Sequence, residues 1–177
     1  MNPRKELRKK EHKHRRDLAG EHVWGDAGQI ILFLVFLAVW ITDSFMVKGS
    51  TFPAASVPLY LRAVPGLFLL GVSGYLAGIT TGIVFRQERR EAGVIRTGIY
   101  NRVRHPMYLS VLLLYLGLLI FTCSLWASTV WLAGTAFYHY IARYEEKLLK
   151  ERFGDDYEKY MKDVPMWMPR WGTAMNS

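Results

Sequence analysis

The stretch Arg102-Val103-Arg104-His105-Pro106-Met107-Tyr108 joins a basic loop to a long apolar segment, and the fold follows from how that junction is read. A residue before proline is pushed out of the helical region, whereas proline has the fixed φ and missing N–H that suit a first helical position. The loop therefore stops at His105 and a helix starts at Pro106. His105 and Tyr108 flank that start, where unpaired N–H groups and the positive end of the helix dipole favour an anionic group. The same residues also suit a plainer role, a basic stop at a membrane boundary with Tyr108 as an interfacial anchor.

Working outward, Met107 to Cys123 is a run of 17 uncharged residues, and Leu125 to Ala142 continues after only Ser124. With no room for a domain between them, the two runs predict a tight transmembrane hairpin. Upstream, Gly28 to Val47 is a 20-residue run broken only by Asp43, enough for about 30 Å of helix. Val64 to Phe85 adds 22 uncharged residues. Lys and Arg number eight before the first run, two in the first loop, six in the second, none at the hairpin tip and seven from Arg143 onward, so alternate sides carry 21 and two. By the positive-inside bias this predicts an all-α integral membrane protein with four spans, both termini cytoplasmic, and the Arg-His-Pro loop on the cytoplasmic face.

Overall composition, 51% hydrophobic and 21% charged, hides this segregation. The net charge of +8 is concentrated in the N-terminal tail and in the loop from Arg86 to Arg104. Both flank apolar runs, so anionic lipid headgroups account for them and no nucleic-acid partner is implied. Cys123 is the only cysteine, which excludes an internal disulfide or a cysteine-based metal site. His12, His14 and His22 stand among eight cationic side chains that would repel a metal ion, so no metal is expected. No cleavable signal peptide is evident.

Smaller features carry their own expectations. Asp43, near the far end of the first run, reads as an acid reaching the interface. Gly74, Gly78 and Gly82, with Gly71 and Gly66 upstream, share one helix face and read as a close-packing surface that could also serve a homo-oligomer. There is no G-x-G-x-x-G and no strand before the basic loop, so a soluble nucleotide-binding fold is not supported. Arg143 to Asp163 predicts a helix projecting from the fourth span and broken near Gly154, with Glu146–Lys150 and Glu158–Lys162 pairs at i,i+4. Met166 to Trp171 reads as an interfacial anchor, with a substrate lid as the alternative.

Beyond the hairpin lie Tyr144-Glu145-Glu146, Phe153-Gly154-Asp155-Asp156-Tyr157, Tyr160 and Val164-Pro165. The order R-H-P-x-Y, apolar hairpin, E-E, F-G-x-x-Y-x-x-Y, V-P resembles the isoprenylcysteine carboxyl methyltransferase and phospholipid methyltransferase families, integral membrane enzymes that use S-adenosylmethionine. The resemblance covers roughly Gln87 to Pro169. It implies a cofactor pocket lined by Ala92, Gly93, Val94, Ile95, Tyr100, His105, Pro106, Met107 and Tyr108, closed by Glu145 with Glu146 completing the pair, and with Gln87 as a weaker match. It implies S-adenosylmethionine as cofactor, a lipid or lipidated acceptor drawn from the bilayer, and three parts: a basic tail (1–24), two N-terminal spans (25–85) and a methyltransferase core (86–177). No residue is singled out as a catalytic base.

One position departs from the carboxyl methyltransferases. As the resemblance has it, those enzymes carry an arginine one helical turn before the first glutamate, suited to a substrate carboxylate, and here that position is Ile141. Arg143 lies two residues along, which points it roughly 160° away from the required face. The expectation therefore tilts toward an amine acceptor such as phosphatidylethanolamine over a prenylated cysteine carboxylate. A sterol-reductase-type membrane reductase and a non-enzymatic membrane scaffold remain as alternatives.

Overall fold

The computed structural model describes residues 23–87 and 93–169. Among them every regular element is helical and no strand occurs. Helix α1 (Val23–Ile41) continues through a π-helical turn (Thr42–Val47), and a one-turn helix α2 (Pro53–Ser56) precedes α3 (Leu59–Gln87). A 3-10 turn (Gly98–Asn101) leads into α4 (Pro106–Thr122), followed by α5 (Leu125–Phe153) and α6 (Asp155–Asp163). The basic tail with its three histidines, the loop centre at 88–92 and the end from Arg170 lie outside the described residues.

Among the described residues, two stretches are long and apolar enough to cross a membrane, Ala27–Val47 and Leu59–Arg86, and only 17% of the apolar window of each is buried by the rest of the chain. A helix in the core of a water-soluble protein would be covered, so surfaces this apolar and this open suit contact with lipid. Helix α4 is shorter, at 17 residues. The first half of α5 is diluted by Trp, Tyr, Thr and His. The expectation of four spans thus meets two clear ones.

Helix α3 packs along α4 more extensively than any other pair. Gly66 and Gly117 make that approach close: a Cβ on either would lie 3.1 to 3.2 Å from the other's carbonyl oxygen. Ser73 adds a hydrogen bond from its hydroxyl to the Ser110 carbonyl, 2.7 Å. On the other side of α4, Phe36 of α1 stacks on Tyr115 with ring centroids 4.2 Å apart, and Leu119 and Ala127 complete that buried cluster. Trp40 donates to Leu118 O and Thr122 Oγ1, and Trp131 to Leu112 O, so indole N–H groups in this apolar setting find acceptors.

Within the chain, the close packing expected of the glycines is seen at one position and not at the others. Gly66 is the residue that meets a neighbour, whereas a Cβ on Gly71, Gly74, Gly78 or Gly82 would touch nothing within 4 Å. The α3 face that meets α4 is drawn from Gly66, Ser73 and their neighbours; the stripe through Gly74 and Gly82 turns outward.

Asp43 is likewise not the interfacial acid expected from its position. It is 5% exposed, inside a knot at the α4–α5 connection. Its Oδ1 accepts from Ser50 N at 3.0 Å, and its Oδ2 from Ser124 Oγ at 2.5 Å and from the Ser50 hydroxyl. Ser50 Oγ in turn accepts from Leu125 N and Trp126 N, and Ser124 caps α5 by accepting from Ala127 N. These contacts satisfy three of the donors that a helix start leaves unpaired. Arg62 reaches Phe121 O at 2.6 Å and caps the end of α4, whose last turn closes on Cys123 with φ 52°.

Candidate active site

At the opposite end of α4 the backbone turns as the proline predicts. His105 lies outside the helical region at φ −120° and ψ 62°, Pro106 is the first helical residue, and Leu109 N donates to His105 O at 3.0 Å. The His105 ring is buried and stacks parallel to the Tyr108 ring one turn on, centroids 5.6 Å apart. Both face α5. Tyr108 donates its hydroxyl to Glu145 Oε1. His105 Nδ1 lies 3.7 Å from Glu145 Oε2, and His105 Nε2 lies 3.2 Å from Glu146 Oε1. The imidazole therefore sits between two carboxylates that are adjacent in sequence.

The two glutamates differ in surroundings. Glu146 is 2% exposed and ion-paired to Arg104, whose Nη1 lies 3.1 Å from Oε1, off hydrogen-bond alignment. The Glu145 side chain keeps 24% exposure. The expected Glu146–Lys150 pair does not form, because Glu146 turns inward; Lys150 instead meets Glu158 of α6 at 2.6 Å. Ile141, one turn earlier, is buried with Tyr108, Leu112, Tyr138 and Ala142, while Arg143 is exposed on the far side.

The C-terminal part closes over this cluster. Gly154 (φ 55°) ends α5 and lets α6 fold back. Tyr157, Tyr160 and Val164 then form a buried group against Val94 and Leu149. Tyr160 donates to Tyr100 O at 2.7 Å, and Arg104 N donates to Pro165 O at 3.0 Å. Burial, with Glu145 nearby, pushes the Tyr100 phenol up to about 12. Burial and the charge of Glu146 also push Tyr157 up, and burial does the same to Tyr160. Trp167 lies beside His105, ring centroids 6.2 Å apart, and donates to His139 Nδ1 at 3.2 Å. The indole expected to anchor at the interface is thus set against the site.

Of the residues singled out from sequence, the structure brings together His105, Tyr108, Glu145 and Glu146, and seats Pro106 beneath them, buried. Tyr100 and Val94 join through α6, and Ile95 is half-buried in the same loop. Met107 is 39% exposed and Gly93 is exposed. Gln87 ends α3, and Ala92 lies outside the described residues. Sequence reasoning gave no site role to His139, reached Trp167 only through the alternative of a substrate lid, and weighed Arg104 only as one of several cations that could face an acceptor carboxylate from another direction.

The fold and this cluster define a helical membrane protein with a polar, carboxylate-rich site at one end of its bundle. A phospholipid methyltransferase family model matches residues 63–156, and the chain belongs to that family. Membership implies a membrane methyltransferase. No curated protein and no solved structure matches significantly.

Proposed function

We propose that the protein is an S-adenosylmethionine-dependent methyltransferase acting on an amine of a membrane lipid, of which phosphatidylethanolamine is the type. The observation that carries this reading is the meeting of His105 and Tyr108, at a helix start, with Glu145 and Glu146 across the α4–α5 connection, in a chain of this family. The donor set suits the cofactor's chemistry. Glu145 offers an accessible carboxylate to a cationic group, the start of α4 favours a carboxylate, and aromatic faces at Tyr108 and Trp167 tolerate a sulfonium. When bound, the cofactor supplies a methyl group for in-line displacement. Such a site mainly positions donor and acceptor and keeps water out.

In this reading Gly93, Val94, Ile95 and Tyr100, with Gln87 and Ala92 at the loop's start, wall the pocket. His105, Pro106, Met107 and Tyr108 form its helical side, and Glu145 closes it. The amine preference is supported by Ile141, which lies in an apolar cluster, and by Arg104, already paired with Glu146. A carboxylate acceptor would need a cation that neither supplies. The topology that goes with this is four spans with both termini and the site cytoplasmic, a basic tail (1–24) on anionic headgroups, two anchoring spans (25–85) and a core from 86 to 177. Titration of purified protein with S-adenosylhomocysteine should show binding, and membranes given methyl-labelled S-adenosylmethionine should yield a labelled lipid amine. Absence of binding, or binding of a reduced nicotinamide cofactor in its place, would overturn the reading.

A further inference from the structure

His139 is the one imidazole in the apolar run Leu125–Ala142, and the proposed cofactor site makes no use of it. An ionisable side chain in an apolar helix of a membrane protein is costly unless it has a partner and a task. Its partner is Trp167. The indole N–H, which can only donate, reaches His139 Nδ1 at 3.2 Å. The same indole lies between His105 and His139, with ring centroids 6.2 and 6.3 Å away. Trp167 thus joins the polar end of the bundle to a point about two turns further up α5 than Glu146.

The segment carrying this indole is fastened unevenly. Val164 is buried with Tyr157 and Tyr160, and Pro165 O accepts from Arg104 N at 3.0 Å. Past that clamp Met166 and Trp167 are half-buried, packed on the cluster of Tyr108, Leu112, Tyr138, Ile141 and Ala142, and Met168 is 81% exposed. One hydrogen bond and a half-buried contact hold the indole down. Residues 166 and 167 can therefore swing about a fixed Val164–Pro165 while α6 stays in place.

We propose that Trp167 and His139 form a latch on the bilayer side of the site, closed on itself by their hydrogen bond and opened by the acceptor's headgroup, which takes both halves. The inference deepens the methyltransferase reading and rests on it. Position gives the direction of entry. His139 lies in the apolar run, whereas the charged half of α5 begins at Arg143, so a lipid arrives from the Trp167 side and a water-borne cofactor from the other. The chemistry of the two halves then selects the headgroup. An open latch presents one donor, the indole N–H, and one acceptor, Nδ1. In apolar surroundings each needs a new partner, because a polar group left without one is expensive. The headgroup of a zwitterionic lipid amine carries both complements. A phosphate oxygen accepts from the indole and the ammonium donates to Nδ1, each a charge-assisted bond. A carboxylate acceptor supplies oxygens alone and leaves Nδ1 bare. The latch thus favours the same class of acceptor as Ile141 does, through separate residues.

Methyl transfer to phosphatidylethanolamine in nanodiscs, with KM read as a mole fraction of that lipid, tests the latch in the full chain beside calorimetry with S-adenosylhomocysteine. That nucleoside is a thioether, so a sulfonium contact to the Trp167 face does not enter its affinity. Trp167→Phe keeps the aromatic plug and removes the N–H, and His139→Leu removes the acceptor while suiting an apolar helix. Each should raise KM about tenfold with kcat retained, the loss of one charge-assisted bond, and keep S-adenosylhomocysteine affinity within about threefold of wild type. His139→Gln is no nearer to imidazole in shape than leucine is, but its amide oxygen accepts, so KM should stay within about threefold of wild type. A merely structural histidine would not be rescued in this way. If Trp167→Phe folds poorly, the two His139 variants decide alone.

A KM that stays or falls in His139→Leu, a loss of kcat alone, or an equal loss of S-adenosylhomocysteine affinity would overturn the latch and leave the methyltransferase reading standing. Turnover of a farnesylated cysteine analogue in place of phosphatidylethanolamine would do the same. A wild type that binds no S-adenosylhomocysteine and labels no lipid overturns that reading, and the latch with it.

Discussion

Each end of the α4–α5 pair contains a buried carboxylate, and the two are solved in opposite ways. Asp43 is surrounded by neutral donors, Ser50 N, Ser50 Oγ and Ser124 Oγ, and those serines spend their remaining valence on the start of α5. Both Asp43 oxygens are thus engaged by donors of the chain itself. Glu146 is met by a guanidinium and an imidazole, and its neighbour Glu145 stays partly accessible. A saturated, uncharged cradle is what a structural carboxylate needs; ionic partners and a half-open neighbour are what a functional one needs.

The sharpest way to break the comparison is at Asp43. Asp43→Ala removes the acceptor of three donors in a buried knot and should destabilise the fold by roughly 3 kcal/mol, since each orphaned buried group costs about 1 to 3 kcal/mol. Whatever remains folded should bind S-adenosylhomocysteine normally. A thermal unfolding scan in detergent beside calorimetry separates the two effects. A selective loss of affinity would mean that the far end is not merely structural.

The opposite pattern is expected at the site. His105→Ala, Tyr108→Ala and Glu145→Ala should each weaken S-adenosylhomocysteine binding by about tenfold to a hundredfold, the equivalent of about 1.5 to 3 kcal/mol for a lost charge-assisted hydrogen bond. Thermal stability should change far less than at Asp43. Wild-type affinity in all three would move the site elsewhere.

Between the two ends, helix packing offers a graded check. Gly66→Ala places a methyl 2.7 Å from the Phe121 ring and 3.2 Å from Gly117 O, an overpacking expected to cost about 1 to 3 kcal/mol. Gly74→Ala, with no neighbour within 4 Å, should cost nothing measurable within the chain. If Gly74→Ala shifted the oligomer profile in light scattering, the outward glycine stripe would have a partner in a second copy.

The smallest expected effect is one of pH. An unfolded phenol releases its proton near 10, whereas Tyr100 holds its own to about 12 and Tyr157 and Tyr160 are also raised. Between those values the folded state binds more protons than the unfolded one, so stability falls as pH rises above about 10. Near-ultraviolet circular dichroism should report loss of the α6 packing there before the apolar helices melt, and Tyr160→Phe should blunt the change.

Much of the fold was legible because hydropathy and charge act locally along a chain. A long uncharged run placed in lipid can satisfy its backbone by becoming a helix, and Pro106 marks a helix start by covalent geometry. The family was legible for a similar reason: the spacing of His105, Tyr108, Glu145 and Glu146 survives in sequence order. What hydropathy could not supply was rotation and partnership. Whether Glu146 turns inward to Arg104 or outward to Lys150, whether Gly66 or Gly78 meets the neighbouring helix, and whether Asp43 reaches water or a serine knot depend on how one helix is turned against another. A one-dimensional pattern leaves that turn undetermined, because several faces of an apolar helix are equally acceptable to lipid. Side-chain packing across α3, α4 and α5 selects one of them, and with it decides that Glu146 is sealed, that Glu145 is open and that Trp167 lies against His105.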